Sequence, residues 1–344
     1  MEYARFGTIL AREPVEVRAD LAGLDHGFWG VVAEFEGTTT AVRFGDVQAA
    51  TRHDGRMTAG PAPADWVALD GDWCSSLDRG AYLAGVAEVR ERIAAGTVYQ
   101  VNLCRVLSHV LPEDAHLGAL AALLGRSHPA PHAGHIHVPS AGLDVVSASP
   151  EAFLLREGQE ITSRPIKGTA TSMGEMLPKD YAENVMIVDL VRNDLSHVCR
   201  EGTVRVDELC VAEKHPGLVH LVSTVTGQLR PRVDWPDIMA ATFPPGSVSG
   251  APKSSALETI TDLEPSRRGP YCGAIGWIDA DRDRAELAVG IRSFWAERDQ
   301  HGQRWLRFGT GAGITWGSDP QGEWEETQVK AARLIGLASG RVVA

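Results

Sequence analysis

Nowhere in the 344 residues do 18 apolar residues run together, so no membrane span is expected. Residues 1–20 carry charges throughout and no apolar core, so no secretory leader is expected either. Cysteine is scarce and odd in number, five residues at 74, 104, 199, 210 and 272, with no Cys-x-x-Cys pair. That excludes a disulfide framework or a zinc ribbon. Four of the five follow Leu, Val or Tyr, which points to buried reduced thiols and a cytoplasmic location. Positive charge is in deficit, 33 Lys and Arg against 45 Asp and Glu, a net −12 with no basic block. Nucleic-acid binding is excluded on that ground. An acidic chain can hold an anion only through a few local cations or a bound metal. Low-complexity tracts and repeats of fixed period are also missing, so no repeat array is expected.

What is present is 44% hydrophobic and 23% charged, the composition of a globular protein with a sizeable core. Residues 1–70 read as strand-rich and irregular, with strands at 28–35 and 38–44 and a Pro/Ala-rich stretch at 60–64. Apolar spacing predicts helices at 78–95, 115–125, 180–199, 252–263 and 322–337. Gly96 is suited to stop the first and Pro178 to start the third. Strands are expected at 97–103, 133–138, 143–155, 218–229, 271–279, 285–297 and 304–310. The mixture suggests an α+β layered fold, with one weak boundary in 60–75 that separates residues 1–74 from 75–344.

Several constellations could carry chemistry. Glu323, Glu326 and Lys330 stand at i, i+3 and i+7, and Asp180 and Glu183 at i and i+3, so each set shares a helix face. Two such helices could hold Mg²⁺ through oxygen ligands, although paired carboxylates are also common on solvated faces. Gly309-Thr310-Gly311-Ala312-Gly313 lacks the βαβ context of a dinucleotide loop. It reads equally as a strand–helix turn or as backbone able to approach a carboxylate. His132, His135 and His137 match no zinc spacing, nothing else with ligand chemistry is adjacent in sequence, and they read as structural. Glu151 follows Pro150 at a strand end. Lys167, in a proline-bent loop among apolar neighbours, would be a nucleophile if desolvated.

Taken together the segments resemble the chorismate-utilising enzymes: anthranilate, aminodeoxychorismate, isochorismate and salicylate synthases. The resemblance spans roughly residues 75–338 and rests on many motifs in order. They are Tyr99-Gln100-Val101-Asn102-Leu103, Ser149-Pro150-Glu151, Pro165-Ile166-Lys167-Gly168-Thr169, Ala182-Glu183-Asn184-Val185-Met186 and Arg192-Asn193-Asp194. His220-Leu221-Val222-Ser223, Gly246-Ser247-Val248-Ser249-Gly250-Ala251-Pro252-Lys253, Tyr271-Cys272-Gly273, Ile291-Arg292, Gly311-Ala312-Gly313 and Glu326-Thr327 continue the series.

The resemblance implies a single α+β domain of two packed antiparallel β-sheets with outer helices and a deep catalytic cleft in residues 75–344. Residues 1–74 would be a trimmed N-terminal region within that fold. It further implies that Glu183 and Glu326 bind Mg²⁺, with Asp180 and Glu323 close by. Tyr271, Arg292, Lys330, Gly311, Gly313, Ser249 and Gly250 would bind chorismate, and Arg292 suits a bidentate grip on a carboxylate. Glu151 would protonate the departing C4 hydroxyl and His220 would stabilise charge near the ring.

Two positions choose a branch. Gln100 stands where isochorismate and salicylate synthases carry a water-activating lysine. Lys167 stands where the anthranilate branch carries alanine, as in aminodeoxychorismate synthases. The implied product is 4-amino-4-deoxychorismate, the precursor of p-aminobenzoate. Ala152, Ser293 and Trp316-Gly317 depart from the family pattern without removing a catalytic group. No tryptophan-binding motif is visible. No glutaminase signature surrounds any cysteine, so ammonia would come from a separate glutamine amidotransferase subunit or from solution. The rival expectations are an anthranilate synthase component I and a non-catalytic chorismate-binding regulatory protein.

Overall fold

Residues 1–49, 65–170, 172–215 and 218–341 are described by the computed structural model. The Pro/Ala-rich stretch expected at 60–64 therefore lies outside the described residues. The first region is regular rather than irregular: β1 (Tyr3–Phe6), β2 (Ile9–Arg18), β3 (Phe28–Ala33) and β4 (Thr39–Ala49). Next come β5 (Cys74–Ser75), α1 (Arg79–Ala94), β6 (Gln100–Val110), α2 (Leu117–Ser127), β7 (His132–Val138) and β8 (Leu143–Ser149). β9 (Ala152–Glu157), β10 (Glu160–Arg164), β11 (Ile166–Ala170), α3 (Pro178–Ser196), β12 (Arg205–His215), β13 (Leu218–Gln228) and α4 (Trp235–Thr242) follow. The chain ends through β14 (Gly250–Ala251), α5 (Lys253–Leu263), β15 (Ala274–Asp279), β16 (Arg284–Val289), β17 (Ser293–Arg298), β18 (Arg304–Ile314) and α6 (Pro320–Ala338).

Local chemistry explains the helix ends. Asp78 caps α1 by accepting from the Ala81 N–H at 2.8 Å, and Gly96, at φ +74°, turns the chain out of it. Pro178 opens α3 without wasting a donor, and Asp180 accepts from the Leu177 N–H at 2.7 Å. At α6 the cap is Asp319 itself, which accepts from the Gly322 N–H at 2.8 Å ahead of Pro320.

The α+β class holds, and among the described residues every strand pair is antiparallel. The strands expected in two sheets are linked there by their ladders into one eighteen-stranded network. The cause lies in long strands that change partners along their length. β6 pairs with β5, β14 and β18, and β13 pairs with β10, β11 and β12. β1 pairs with β7 and β3 with β15, so the first region shares ladders with the later strands.

The larger core packs α1 (Tyr82, Val86, Val89) and α3 (Ile187, Val188, Val191) with Trp29, Leu103 and Ile275. A second core joins α2 and α6 to β8, β17 and β18 through Leu120, Leu334, Val146, Phe294 and Phe308. Each such side chain contributes about 1.5–3 kcal/mol by leaving water. Cys104, Cys199 and Cys272 are buried as expected. Cys74 is exposed, because β5 is a two-residue strand with both side chains facing outward.

Candidate active site

The expected strand at 143–155 is interrupted at Pro150, and the break sets Glu151 between β8 and β9. Glu151 is 4% exposed. Burial pushes its carboxyl up to about 7. The Ser247 hydroxyl, the Lys167 ammonium and the Ile166 N–H oppose that shift only in part. A carboxyl of this kind is protonated on the acid side of neutrality and can donate its proton.

Lys167 does not sit in a loop, as expected, but on β11 at a bulge. Ile166 pairs with Val222 and Thr169 with His220, so three steps on β11 oppose two on β13. The extra residue re-aims the side chain. Gly168 makes this possible: its φ is +84°, and a Cβ there would stand 2.9 Å from Asp180 Cβ. Burial lowers the Lys167 pKa, with Glu183, Glu151 and Glu326 pulling the other way. The amine therefore faces carboxylates from both helices and the buried Glu151.

Carboxylates of the two helices act on one another and on this amine. Burial raises Glu183, as does Asp180, while Lys167 and Lys179 pull it down. Glu323 is buried and raised, mainly by desolvation, and faces Ser318 and Glu326. Glu326 is also desolvated, yet Lys330, Lys179 and Lys167 hold it below the usual range. Lys330 pairs with Glu326 at 2.6 Å and donates to the Gly311 carbonyl at 3.1 Å. Among the described residues no three of these carboxylates converge within 4.8 Å.

The glycine segment is neither turn nor loop. It is strand interior, with Gly309 to Gly313 paired to Val106 to Asn102 of β6. The missing side chains make room for the protein's own groups: the Tyr271 ring lies on Gly309, Cys104 on Gly311 and the Gln100 amide on Gly313. Gln100 is 1% exposed, and neither its amide nitrogen nor its oxygen has a partner among the described residues. Gly250 pairs with Val101, and a side chain at 250 would collide with the Gln100 carbonyl. Ser249 is fully buried; its backbone carbonyl accepts from Asn102 N–H at 2.8 Å.

His220 is buried on β13, opposite Thr169 of β11 and Glu213 of β12. Tyr271 is also buried. The expected strand at 285–297 breaks at Arg292, whose φ is +52°. Burial and neighbouring Arg333 lower its pKa, and no carboxylate among the described residues pairs with it.

Sequence reasoning missed Lys179, Ser247 and the Arg333–His128 neighbourhood of Arg292. Burial, Arg292 and Arg333 together push His128 down to about 4. Lys179 had a legible signal: a cation in the first turn of a helix opposes the macrodipole and needs a partner elsewhere.

A family profile described as chorismate binding enzyme matches residues 39–336. The chain belongs to the chorismate-binding enzymes. Among these enzymes it is 36% identical to anthranilate synthase component 1 of Synechocystis, over 77% of this chain and 54% of that protein. It is 35% identical to aminodeoxychorismate synthase component 1 of Escherichia coli, over 80% of this chain and 61% of that protein. The chain thus spans little more than half the length of these relatives. A crystal structure described as a 2,3-dihydroxybenzoate-specific isochorismate synthase, DhbC, from Bacillus anthracis superimposes with a TM-score of 0.79. It covers 99% of this chain and 96% of that one at 23% identity, which shows the shared fold. Among the described residues no helix is long and apolar enough to cross a membrane.

Proposed function

We propose that this chorismate-binding enzyme aminates chorismate at C4, giving 4-amino-4-deoxychorismate and water. The observation that carries the reading is Lys167: a partly desolvated amine aimed by a β-bulge between Glu151 and the helix carboxylates. In the proposed sequence the neutral amine adds to C2, the ring double bonds shift, and the C4 hydroxyl leaves with the proton of Glu151. Ammonia then adds at C4, the double bonds shift back, and the C2–nitrogen bond to Lys167 breaks. Glu151 takes up the proton lost by the incoming nitrogen. One difficult substitution becomes two easier ones.

Arg292, partly buried and without a carboxylate partner among the described residues, is suited to grip a substrate carboxylate; Tyr271, whose buried ring lies on Gly309, is proposed to bind substrate with it. Lys330 and the backbone near Gly311, Gly313, Ser249 and Gly250, gathered along β6, are proposed to hold the rest of the substrate. His220 is suited to steady charge on the ring. The unpartnered Gln100 amide can hydrogen-bond ammonia or substrate, and unlike a lysine it cannot activate water.

The donor set fits Mg²⁺: four hard carboxylates, Glu183, Glu326, Asp180 and Glu323, without nitrogen or sulfur. Their spread beyond one coordination sphere suits an ion that takes one or two carboxylates and keeps water. Bound there, Mg²⁺ would neutralise the ring carboxylate of chorismate. The relatives named as component 1 support a separate amidotransferase subunit as the ammonia source.

Relatives of both names match comparably, so the second reading is an anthranilate synthase component, against which Lys167 argues. Purified chain with chorismate, Mg²⁺ and ammonium is expected to yield aminodeoxychorismate by mass spectrometry. Anthranilate with pyruvate would support the second reading, and unchanged chorismate a non-catalytic binder.

A further inference from the structure

The histidines set aside as structural acquire a partner in the fold. β7 and β8 form an antiparallel pair in which His137 lies directly opposite Asp144, while His135, two residues back, points to the same face. The Asp144 Oδ1 stands 3.2 Å from His135 Nε2 and 3.1 Å from His137 Nδ1. The three atoms lie within 4.8 Å of one another. No sequence spacing signals this, because the third member arrives only through strand register.

We infer that His135, His137 and Asp144 form a binding site for a transition-metal dication of zinc's type, separate from the catalytic cleft. Two imidazoles and a carboxylate are the donor set such ions favour, with water completing a tetrahedron. Bonds of about 2.0–2.2 Å put neighbouring ligand atoms about 3.3–3.6 Å apart, so the two separations from Asp144 need little adjustment and the two imidazole nitrogens, within 4.8 Å, need at most a small one.

The supporting groups are in place. Tyr3 Oη lies 2.8 Å from His135 Nδ1, so it can accept that proton and leave Nε2 as the ligand. Tyr3 is pushed up to about 12 by burial and by Asp144, so it keeps its own proton and stays neutral. Arg304 holds the other Asp144 oxygen at 3.2 Å, which turns Oδ1 toward the imidazoles. Burial disfavours protonated His135, although Asp144 opposes this, and the neutral ring is the ligating form. Asp144 is desolvated too, yet the two histidines bring it down to about 2, so it is ionised. The His137 side chain is 23% exposed, which gives the ion a way in. Arg304 and Arg5 add positive charge nearby and limit affinity. Through Tyr3, an ion here would tie β1 to the β7–β8 pair and stabilise the folded state by mass action.

The test uses the full chain saturated with Mg²⁺, titrated with Co²⁺ and then Zn²⁺. The expected result is visible absorption of tetrahedral Co²⁺, displaced by Zn²⁺, and a Zn²⁺-dependent rise in Tm. His137→Gln and Asp144→Asn should abolish both signals, and Tyr3→Phe should weaken Zn²⁺ binding by about 10–100-fold. A Glu183→Gln/Glu326→Gln chain should keep them, which separates this site from the catalytic carboxylates. Absence of Co²⁺ absorption and of the Tm shift in the parent chain overturns the inference. So does survival of both signals in His137→Gln and Asp144→Asn chains that fold.

Discussion

Gly168 touches Asp180 across the interface between β11 and α3, and no other residue type fits there. A Cβ at 168 would lie 2.9 Å from Asp180 Cβ and 3.2 Å from Leu221 Cδ1, at a φ of +84°. The glycine thus sets both the bulge that aims Lys167 and the approach of the helix bearing Glu183. Gly168→Ala is predicted to cost about 1–3 kcal/mol, measured by urea unfolding. Activity should fall further than stability accounts for, because Lys167 and Glu183 move apart. Parent-like unfolding would contradict the strained contact.

Lys167→Ala should lower the rate of chorismate amination by about a hundredfold or more, the low end for a positioned catalytic group. Chorismate binding, followed by calorimetry, should survive, since Arg292 and Tyr271 are untouched. Undiminished turnover would remove the lysine from the chemistry.

The pH profile should follow Glu151. Its carboxyl is raised to about 7, so the acid form needed to protonate a leaving hydroxyl is present below that pH and lost above it. The rate should therefore fall as pH rises through about 7. Lys167 sets the opposite limb: attack needs the neutral amine, and its pKa is lowered from the ordinary lysine value. Glu151→Gln should remove the alkaline limb and lower kcat by about 10²–10⁴. An alkaline limb unchanged in that variant would assign it to another group.

Gln100 carries two buried amide atoms without partners among the described residues, a cost of about 1–3 kcal/mol to the folded state. Gln100→Met keeps the volume and removes the polar atoms. It is predicted to raise stability by about 1 kcal/mol while lowering kcat/KM, the trade expected of a site group. A loss of stability would mean that the amide is satisfied.

Much of this was legible in the sequence. Five helices were, because their apolar spacing and caps agree: α3, with Pro178 before Val188 and Val191, is found within a few residues. The short α4 (Trp235–Thr242) was not expected, since eight residues give too few turns for a periodic pattern. The α+β class came from the mixture of strand and helix segments, and the grouping of Glu183, Glu326, Lys167 and Glu151 from motif order. Register did not. The bulge at Lys167 depends on β13, and the strand pairing of Gly309 to Gly313 depends on β6, more than 200 residues earlier. The partnership of Asp144 with His137 needs the β7–β8 pairing. Cys210 failed for a smaller reason: it follows Leu209 yet is only half-buried, since an apolar neighbour does not guarantee burial, and Cys74, outside that pattern, is exposed.

The most direct test withholds ammonia. The chain is incubated with chorismate and Mg²⁺ alone, quenched in acid and digested, and the peptide containing Lys167 is weighed by mass spectrometry. The predicted result is a mass gain equal to chorismate less one water on Lys167, discharged as aminodeoxychorismate when ammonium is added before the quench. An unmodified Lys167 peptide from a chain that still forms aminodeoxychorismate at full rate would contradict the account.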